Sequence, residues 1–136
     1  MFSPYFRHVL EGWSQRNLPN VLFLFYEDLK KDLRGQIQRV AKFLGKTLTE
    51  EQLVRLTEHL KIASFEKNES VNMEDVRRDG VAFNNTKSDV KFVRKGKTGD
   101  WKNHFGPELN SRIDAWIAKN TAGTGLSFVT ELAQQD

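Results

Sequence analysis

Residues 20–29 read Asn-Val-Leu-Phe-Leu-Phe-Tyr-Glu-Asp-Leu, and this stretch decides the fold class of the chain. The apolar run over 20–25 is continuous and rich in β-forming residues, which predicts a strand buried on both faces, as in a parallel sheet. A lone parallel strand cannot satisfy its backbone hydrogen-bonding groups, so we expect the other strands of the sheet to lie outside this sequence.

The polar residues that follow this strand have two interpretations. Ligand contacts in α/β proteins gather at the carboxyl ends of parallel strands, which draws attention to residues 26–28. Glu27 and Asp28 could form a paired-carboxylate acid–base site. We favour the interpretation that they open the next helix, because the dipole at a helix start favours negative charge.

About four helices are predicted from the apolar periodicity around this strand. They cover a segment that starts at Ser3-Pro4 and stops near residues 17–19, a segment around residues 37–44, a segment that follows Thr49, and residues 107–118. Gly45 is expected to close the second of these helices, and Thr49 with Gln52 predicts a capping box at the third. Residues 68–90 show no period and predict a loop, and we expect Asn72 to Asp89 to cover a site.

The composition limits the class of protein. The chain has 136 residues, with a 38% hydrophobic fraction and ten Phe, which suits one domain or a piece of one. A net charge of +3 suits a phosphate-bearing ligand without demanding nucleic acid. The absence of Cys excludes disulfides, thiolate metal sites and a Cys nucleophile. The longest apolar run is too short to span a membrane, and the first residues do not resemble a signal peptide, so a cytoplasmic location is expected.

Residues 92–105 carry the chemistry that stands out: Phe-Val-Arg-Lys-Gly-Lys-Thr-Gly-Asp-Trp-Lys-Asn-His-Phe. Arg94, Lys95 and Lys97 surround two glycines. Glycine lets the backbone approach a ligand, and Arg and Lys supply charge-assisted hydrogen bonds to phosphate. The segment is therefore either a phosphate-binding turn or a solvated basic turn, and its residue types alone leave both open.

Residues 94–103, with the pattern Arg-Lys-Gly-x-x-Gly-Asp-Trp-Lys-Asn, resemble the C-terminal signature of the cytosolic sulfotransferase family. Residues 24–29 are similar to the family's Leu-Phe-Tyr-Glu-Asp segment, residues 63–65 to its Thr-Ser-Phe stretch, and residues 126–128 to its end. The resemblance implies an α/β fold, the C-terminal portion of a P-loop-like sulfotransferase domain, mostly helical here with one or two strands of a parallel sheet. Residues 1–136 would then be a partial domain, its C-terminal half.

The resemblance also implies a site for the sulfate donor 3′-phosphoadenosine 5′-phosphosulfate (PAPS). Arg94, Lys95 and Gly96 would hold the 3′-phosphate of the donor. Phe92 and Val93 would border the nucleotide.

The adenine of the donor would be held by a second segment. Phe65 would stack on adenine, with Ser64 beside it and Ala63 where the family has Thr. Tyr26 would contact the adenine side. Taken singly, Phe65 is more often a core residue, and for Tyr26 a solvated strand-end role is favoured; only the joint pattern points to the donor site.

The catalytic part of the family pattern has no counterpart in these 136 residues. The family's Lys-bearing strand-loop-helix and its His base both precede the part that this chain matches, so no catalytic residue is assigned. None of His8, His59 and His104 matches that base, and their spacing predicts no metal site. After Lys102 the family's usual dimer motif is not matched, since Gly-Pro replaces Thr-Val and Ser111 stands in place of Glu.

The resemblance predicts a PAPS-dependent sulfotransferase that transfers a sulfuryl group to a hydroxyl or amine of a small-molecule acceptor. This chain would supply the adenine and 3′-phosphate part of the donor site and would be inactive alone. The alternative is a non-enzymatic nucleotide- or protein-binding module derived from a sulfotransferase. Neither interpretation includes a nucleic-acid or membrane partner.

Overall fold

A computed structural model describes residues 4–72, 93, 96, 98–129 and 132. Its helices are α1 Tyr5–Ser14, α2 Tyr26–Lys31, α3 Leu33–Phe43, α4 Glu50–His59, α5 Ile62–Phe65, α6 Glu69–Asn72, a 3₁₀ helix Asp100–Asn103, and α7 Pro107–Thr121. The described residues divide into two units. The first unit contains α1, α2, the 3₁₀ helix and α7. The second contains α3 to α6 together with Val93 and Gly96.

The predicted strand is not observed among the described residues, where residues 21–25 form neither a helix nor a ladder with a second strand. A ladder needs inter-strand hydrogen bonds to a partner, and no described segment provides one. The aromatic side chains of this run pack instead on α1. The ring of Trp13 meets those of Phe23 and Phe25 edge to face, with centroids 5.3 and 6.1 Å away. The parallel sheet therefore stays a prediction.

An aromatic cluster forms the core of the first unit. Phe6 of α1 is buried, and its ring lies 4.6 Å from that of Trp116 on α7 and 6.3 Å from that of Phe128. The turn after α7 is tied to the end of α1, because the indole Nε1–H of Trp13 donates a hydrogen bond to the carbonyl oxygen of Thr124 at 2.9 Å. These contacts join the two ends of the chain within one unit.

The second unit is organised by well-capped helices. Asp32 caps α3 by accepting the Gly35 N–H at 2.9 Å. A Schellman motif closes α3 at Gly45, whose φ is +65°, with the Lys46 N–H donating to the Ala41 carbonyl at 2.8 Å. Ile37 on α3 and Leu53 on α4 are the buried hydrophobic side chains in the described part of this unit.

The predicted capping box of α4 is confirmed. The Gln52 N–H donates to the Thr49 hydroxyl at 3.2 Å, and the Thr49 N–H donates to the Gln52 carboxamide oxygen at 2.9 Å. The interpretation that the acidic pair opens a helix is also confirmed, since Glu27 and Asp28 lie in the first turn of α2. The alternative of a paired-carboxylate site gains no support from this arrangement.

Both boundaries of α1 differ from the prediction. The Ser3-Pro4 pair predicts Ser3 as the cap and Pro4 in the first turn, whereas Pro4 occupies the N-cap position, with φ −76° and ψ 144°. The helix ends at Ser14, where turns closed by i+3→i hydrogen bonds replace the helical ones, as in the bond that the Gln15 N–H donates to the Gly12 carbonyl at 3.2 Å. The predicted end near residues 17–19 therefore lies beyond the observed end at Ser14.

The prediction of a loop from residue 68 onwards was wrong at the start of that segment, because Glu69–Asn72 form helix α6. The side chain of Asn68 accepts the Ser70 N–H at 3.1 Å, an Asx-type contact that starts a turn without any apolar periodicity. Asn72 is buried and donates a hydrogen bond from its side chain to the Glu66 carbonyl at 3.1 Å. Apart from Asn72, the predicted cover over residues 72–89 lies outside the described residues.

Apolar periodicity overstates burial in two helices. The apolar repeat of residues 107–118 predicts Leu109 and Trp116 on the inner face of α7, yet their side chains are 41% and 50% exposed. The apolar face predicted for α4 includes Leu56 and Leu60, yet Leu56 is 36% exposed and Leu60, the C-cap residue of the helix, is 37% exposed. The pattern gives the apolar face of a helix, whereas burial depends on what covers that face. In the described part of the chain, no helix has the length and apolar character required to cross a membrane.

Candidate functional site

The candidate site is built around α5 in the second unit. This short helix follows α4 closely, and the Lys61 carbonyl accepts the N–H groups of Ser64 at 3.0 Å and Phe65 at 2.9 Å. Ser64 and Phe65 are half-buried, and Ala63 is exposed. The predicted adenine segment is therefore a turn of helix held by backbone hydrogen bonds.

Gly96 lies directly against the first residue of α5. Its φ is +56°, which an L-amino acid with a side chain rarely adopts. A Cβ built on Gly96 would overlap Ile62, lying 2.6 Å from its Cδ1 and closer still to its Cγ1. Backbone angle and space thus both require glycine at this position. The contact brings one residue of the predicted 3′-phosphate turn beside the predicted adenine segment, Ala63–Phe65.

Of the other predicted site residues, one lies in the second unit, three lie outside the described residues and one lies in the first unit. Val93 is half-buried in the same unit as Gly96 and α5. Phe92, Arg94 and Lys95 lie outside the described residues. Tyr26 belongs to the first unit, where it opens α2 with its side chain 48% exposed.

The remainder of the signature forms a compact turn in the first unit. The pair Asp100-Trp101 predicts the start of a short helical turn, and the 3₁₀ helix that begins there confirms it. Gly99 precedes this helix with φ +82°. The Asp100 carboxylate accepts a hydrogen bond from the Asn103 side chain at 3.1 Å and lies 3.5 Å from the His104 Nε2. Trp101 is half-buried, with its ring centroid 6.4 Å from that of Phe105. These residues shape the turn through contacts with one another.

None of the three histidines belongs to the predicted residues of the candidate site. His8 is exposed on α1 and His59 is exposed on α4, while His104 faces Asp100. Within the described ranges, no group of three His, Asp or Glu side chains is placed to hold a metal ion. The predicted site is thus represented in the second unit by α5, Val93 and Gly96.

Ile62 is the residue of this site that sequence reasoning missed. Its neighbours at 63–65 carried the family resemblance, and it looked like an ordinary apolar residue between two helices. No local signal marks it, because its contact with Gly96 joins residues far apart in the chain.

The comparisons with known proteins agree on one family. Residues 1–125 match the family model described as the sulfotransferase domain. Luciferin sulfotransferase of Photinus pyralis is 37% identical over 96% of this chain and 35% of its own length. Sulfotransferase 1A1 of Canis lupus familiaris is 36% identical over 96% of this chain and 43% of its own length. The chain belongs to the sulfotransferase family, which confirms the resemblance that the signature carries.

A solved structure supports the same conclusion. Retinol dehydratase, determined in complex with androsterone and the inactive cofactor PAP, is 48% identical and superposes with a TM-score of 0.85. The match covers 93% of this chain and 36% of that protein. This chain therefore spans well under half the length of the relatives that it matches.

Proposed function

We propose that this chain carries the adenine and 3′-phosphate part of a PAPS site. The protein that uses the site transfers a sulfuryl group to a hydroxyl or amine of a small molecule. The observation that carries the proposal is the packing of Gly96 against Ile62, which joins the basic turn to the segment Ala63–Phe65. Family membership and the PAP complex of retinol dehydratase support the same ligand.

The residues present fit the chemistry of such a nucleotide. The missing side chain at Gly96 lets the backbone pack closely against Ile62, and the neighbouring Arg94 and Lys95 supply positive charge for a phosphate. A half-buried Phe65 offers an aromatic face of the kind that supports a purine. PAPS, when bound, supplies the sulfuryl group. The residues of this chain bind and orient the adenosine part of the donor.

The proposal assigns donor binding, and no proton transfer, to these 136 residues. His8 is exposed on α1, His59 is exposed at the end of α4, and His104 is engaged with Asp100, and none of them matches the family's base. We therefore expect the isolated chain to bind the nucleotide without turning it over. Transfer of sulfate to phenols or sterols by this chain alone would contradict that assignment.

The test is calorimetric titration of the chain with adenosine 3′,5′-bisphosphate and with adenosine 5′-monophosphate. We expect tighter binding of the bisphosphate, because only this ligand carries the 3′-phosphate that the basic turn would hold. Arg94→Ala should weaken bisphosphate binding by about 10- to 100-fold, the cost of losing a hydrogen bond to a charged group. Arg55→Ala removes the same charge from an exposed position of α4 in the same unit and should leave binding unchanged.

Each other outcome points to a different conclusion. A folded chain that binds neither nucleotide would refute the proposed donor-site role. Equal affinity for both nucleotides, with no effect of Arg94→Ala, would separate binding from the 3′-phosphate. That result would favour the alternative of a general nucleotide-binding module.

A further inference from the structure

We propose that Ile62 is a positioning residue of the nucleotide site and sets the separation between the basic turn at Gly96 and the adenine segment Ala63–Phe65. The inference rests on the proposed function and deepens it. According to this inference, Ile62 does not touch the nucleotide. It acts through Gly96, the residue against which its side chain packs.

The contact between Ile62 and Gly96 is a steric stop. A Cβ on Gly96 would lie 2.6 Å from the Cδ1 of Ile62 and 3.1 Å from its Cβ, so the two residues already touch without a side chain on Gly96. Ile is β-branched, and its χ1 angle is confined to few rotamers, so its side chain cannot easily turn away. The backbone at Gly96 can therefore come no closer to Ile62 than this side chain allows.

The same contact predicts selectivity rather than general stability. Phe65 and Ser64 remain in place when Ile62 is shortened, because backbone hydrogen bonds to Lys61 hold their helix turn. Without the Ile62 side chain as a steric limit, the turn at Gly96 samples other distances from α5. The 3′-phosphate is therefore held less well, while the adenine contacts are retained.

Ile62 is a favourable position for a mutational test. Its side chain is 37% exposed, so its truncation removes only partly buried surface and should leave the chain folded. Val54 of α4 provides a matched control, since it is β-branched, lies in the same unit and is 52% exposed. Far-UV circular dichroism should show the same helix content in the parent chain, Ile62→Ala and Val54→Ala.

The experiment compares binding of adenosine 3′,5′-bisphosphate and adenosine 5′-monophosphate to the 136-residue chain. Ile62→Ala should lower bisphosphate affinity by about tenfold and monophosphate affinity by less than about twofold. The two effects should differ because only the bisphosphate carries the 3′-phosphate that the turn at Gly96 would hold. Ile62→Val keeps the β-branch and should lie between Ile62→Ala and the parent chain. Val54→Ala should leave both affinities unchanged.

A double-mutant cycle tests whether Ile62 acts through Gly96. Gly96→Ala introduces both a steric overlap with Ile62 and an unfavourable backbone angle. In the Ile62→Ala background the overlap with Cγ1 and Cδ1 disappears, whereas the 3.1 Å contact with the Cβ of residue 62 and the unfavourable backbone angle remain. Gly96→Ala should therefore reduce bisphosphate affinity less in that background, by a factor of about three or more, because residues in contact have non-additive effects.

The outcomes separate this inference from the proposed function. If the parent chain distinguishes the two nucleotides but Ile62→Ala leaves their ratio unchanged, the inference is wrong and the proposed function stands. Equal losses for both nucleotides would indicate a purely structural role and would also refute it. If the folded parent chain binds neither nucleotide, the proposed function fails and takes this inference with it.

Discussion

Leu53 on α4 anchors the unit that carries the candidate site, and its truncation to Ala should be strongly destabilising. The side chain is 2% exposed. Leu→Ala removes three carbon atoms, worth about 2.4 kcal/mol of transfer free energy at about 0.8 kcal/mol each. The space left by a buried side chain adds to that cost, which brings the expected loss of unfolding free energy to about 3 kcal/mol.

Leu56 is a matched control one turn further along the same helix. The same substitution there removes the same atoms from a side chain that is 36% exposed. The substitution removes only the buried part of the Leu56 side chain from the protein interior, and water can fill the space that it leaves. We therefore expect Leu56→Ala to cost about 1.5 kcal/mol.

Urea unfolding followed by far-UV circular dichroism is the appropriate assay. All three Trp residues lie in the first unit, so their fluorescence would not report on α4 directly. With a urea dependence of about 1–3 kcal/mol per molar, Leu53→Ala should lower the unfolding midpoint by about 1–3 M. Equal shifts for Leu53→Ala and Leu56→Ala would refute the burial difference on which this reasoning depends.

Three further substitutions test contacts that define each unit. Trp13→Phe keeps an aromatic ring but leaves the Thr124 carbonyl without its indole donor, and it should cost about 1 kcal/mol in urea unfolding. Thr49→Ala breaks the capping box with Gln52 and should cost about 1 kcal/mol, seen as faster hydrogen exchange in the first turn of α4. Gly45→Ala places a Cβ at φ +65° and should cost about 1–2 kcal/mol in thermal or urea unfolding.

Each of these substitutions has a control within the chain. Trp116→Phe alters a half-exposed ring and should cost less than Trp13→Phe. Thr47→Ala changes an exposed residue outside the cap and should leave exchange in α4 unaltered. Gly45→Asn should be milder than Gly45→Ala, because Asn tolerates the left-handed region. A control that matches its test variant would show that the named contact contributes nothing.

Local chemistry made several elements predictable. The capping box at Thr49, the closure of α3 at Gly45 and the acidic opening of α2 each depend on residues within one or two turns of one another. Such signals act through the backbone of the same segment, so their outcome does not depend on distant residues. Helix α6 was missed because it rests on an Asx contact at Asn68 and has no apolar repeat.

The candidate site was predictable only in part. The signature at residues 94–103 and the segment 63–65 pointed to a nucleotide, and the structure places Gly96 beside α5. It does so through Ile62, which carries no signal of its own. The roles of Phe92, Arg94 and Lys95 stay predictions, as does any role of Tyr26 at this site.

The sequence by itself determined the family, the positions of the main helices and the residue types suited to a phosphate and a purine. These depend on composition, short-range spacing and local backbone preference, all of which can be read along the chain. Only the tertiary structure decided that Leu53 is buried while Leu56 and Trp116 are exposed, and that Ile62 meets Gly96. Burial and steric contact depend on which distant segments come together in space, and no local preference of the chain contains that information.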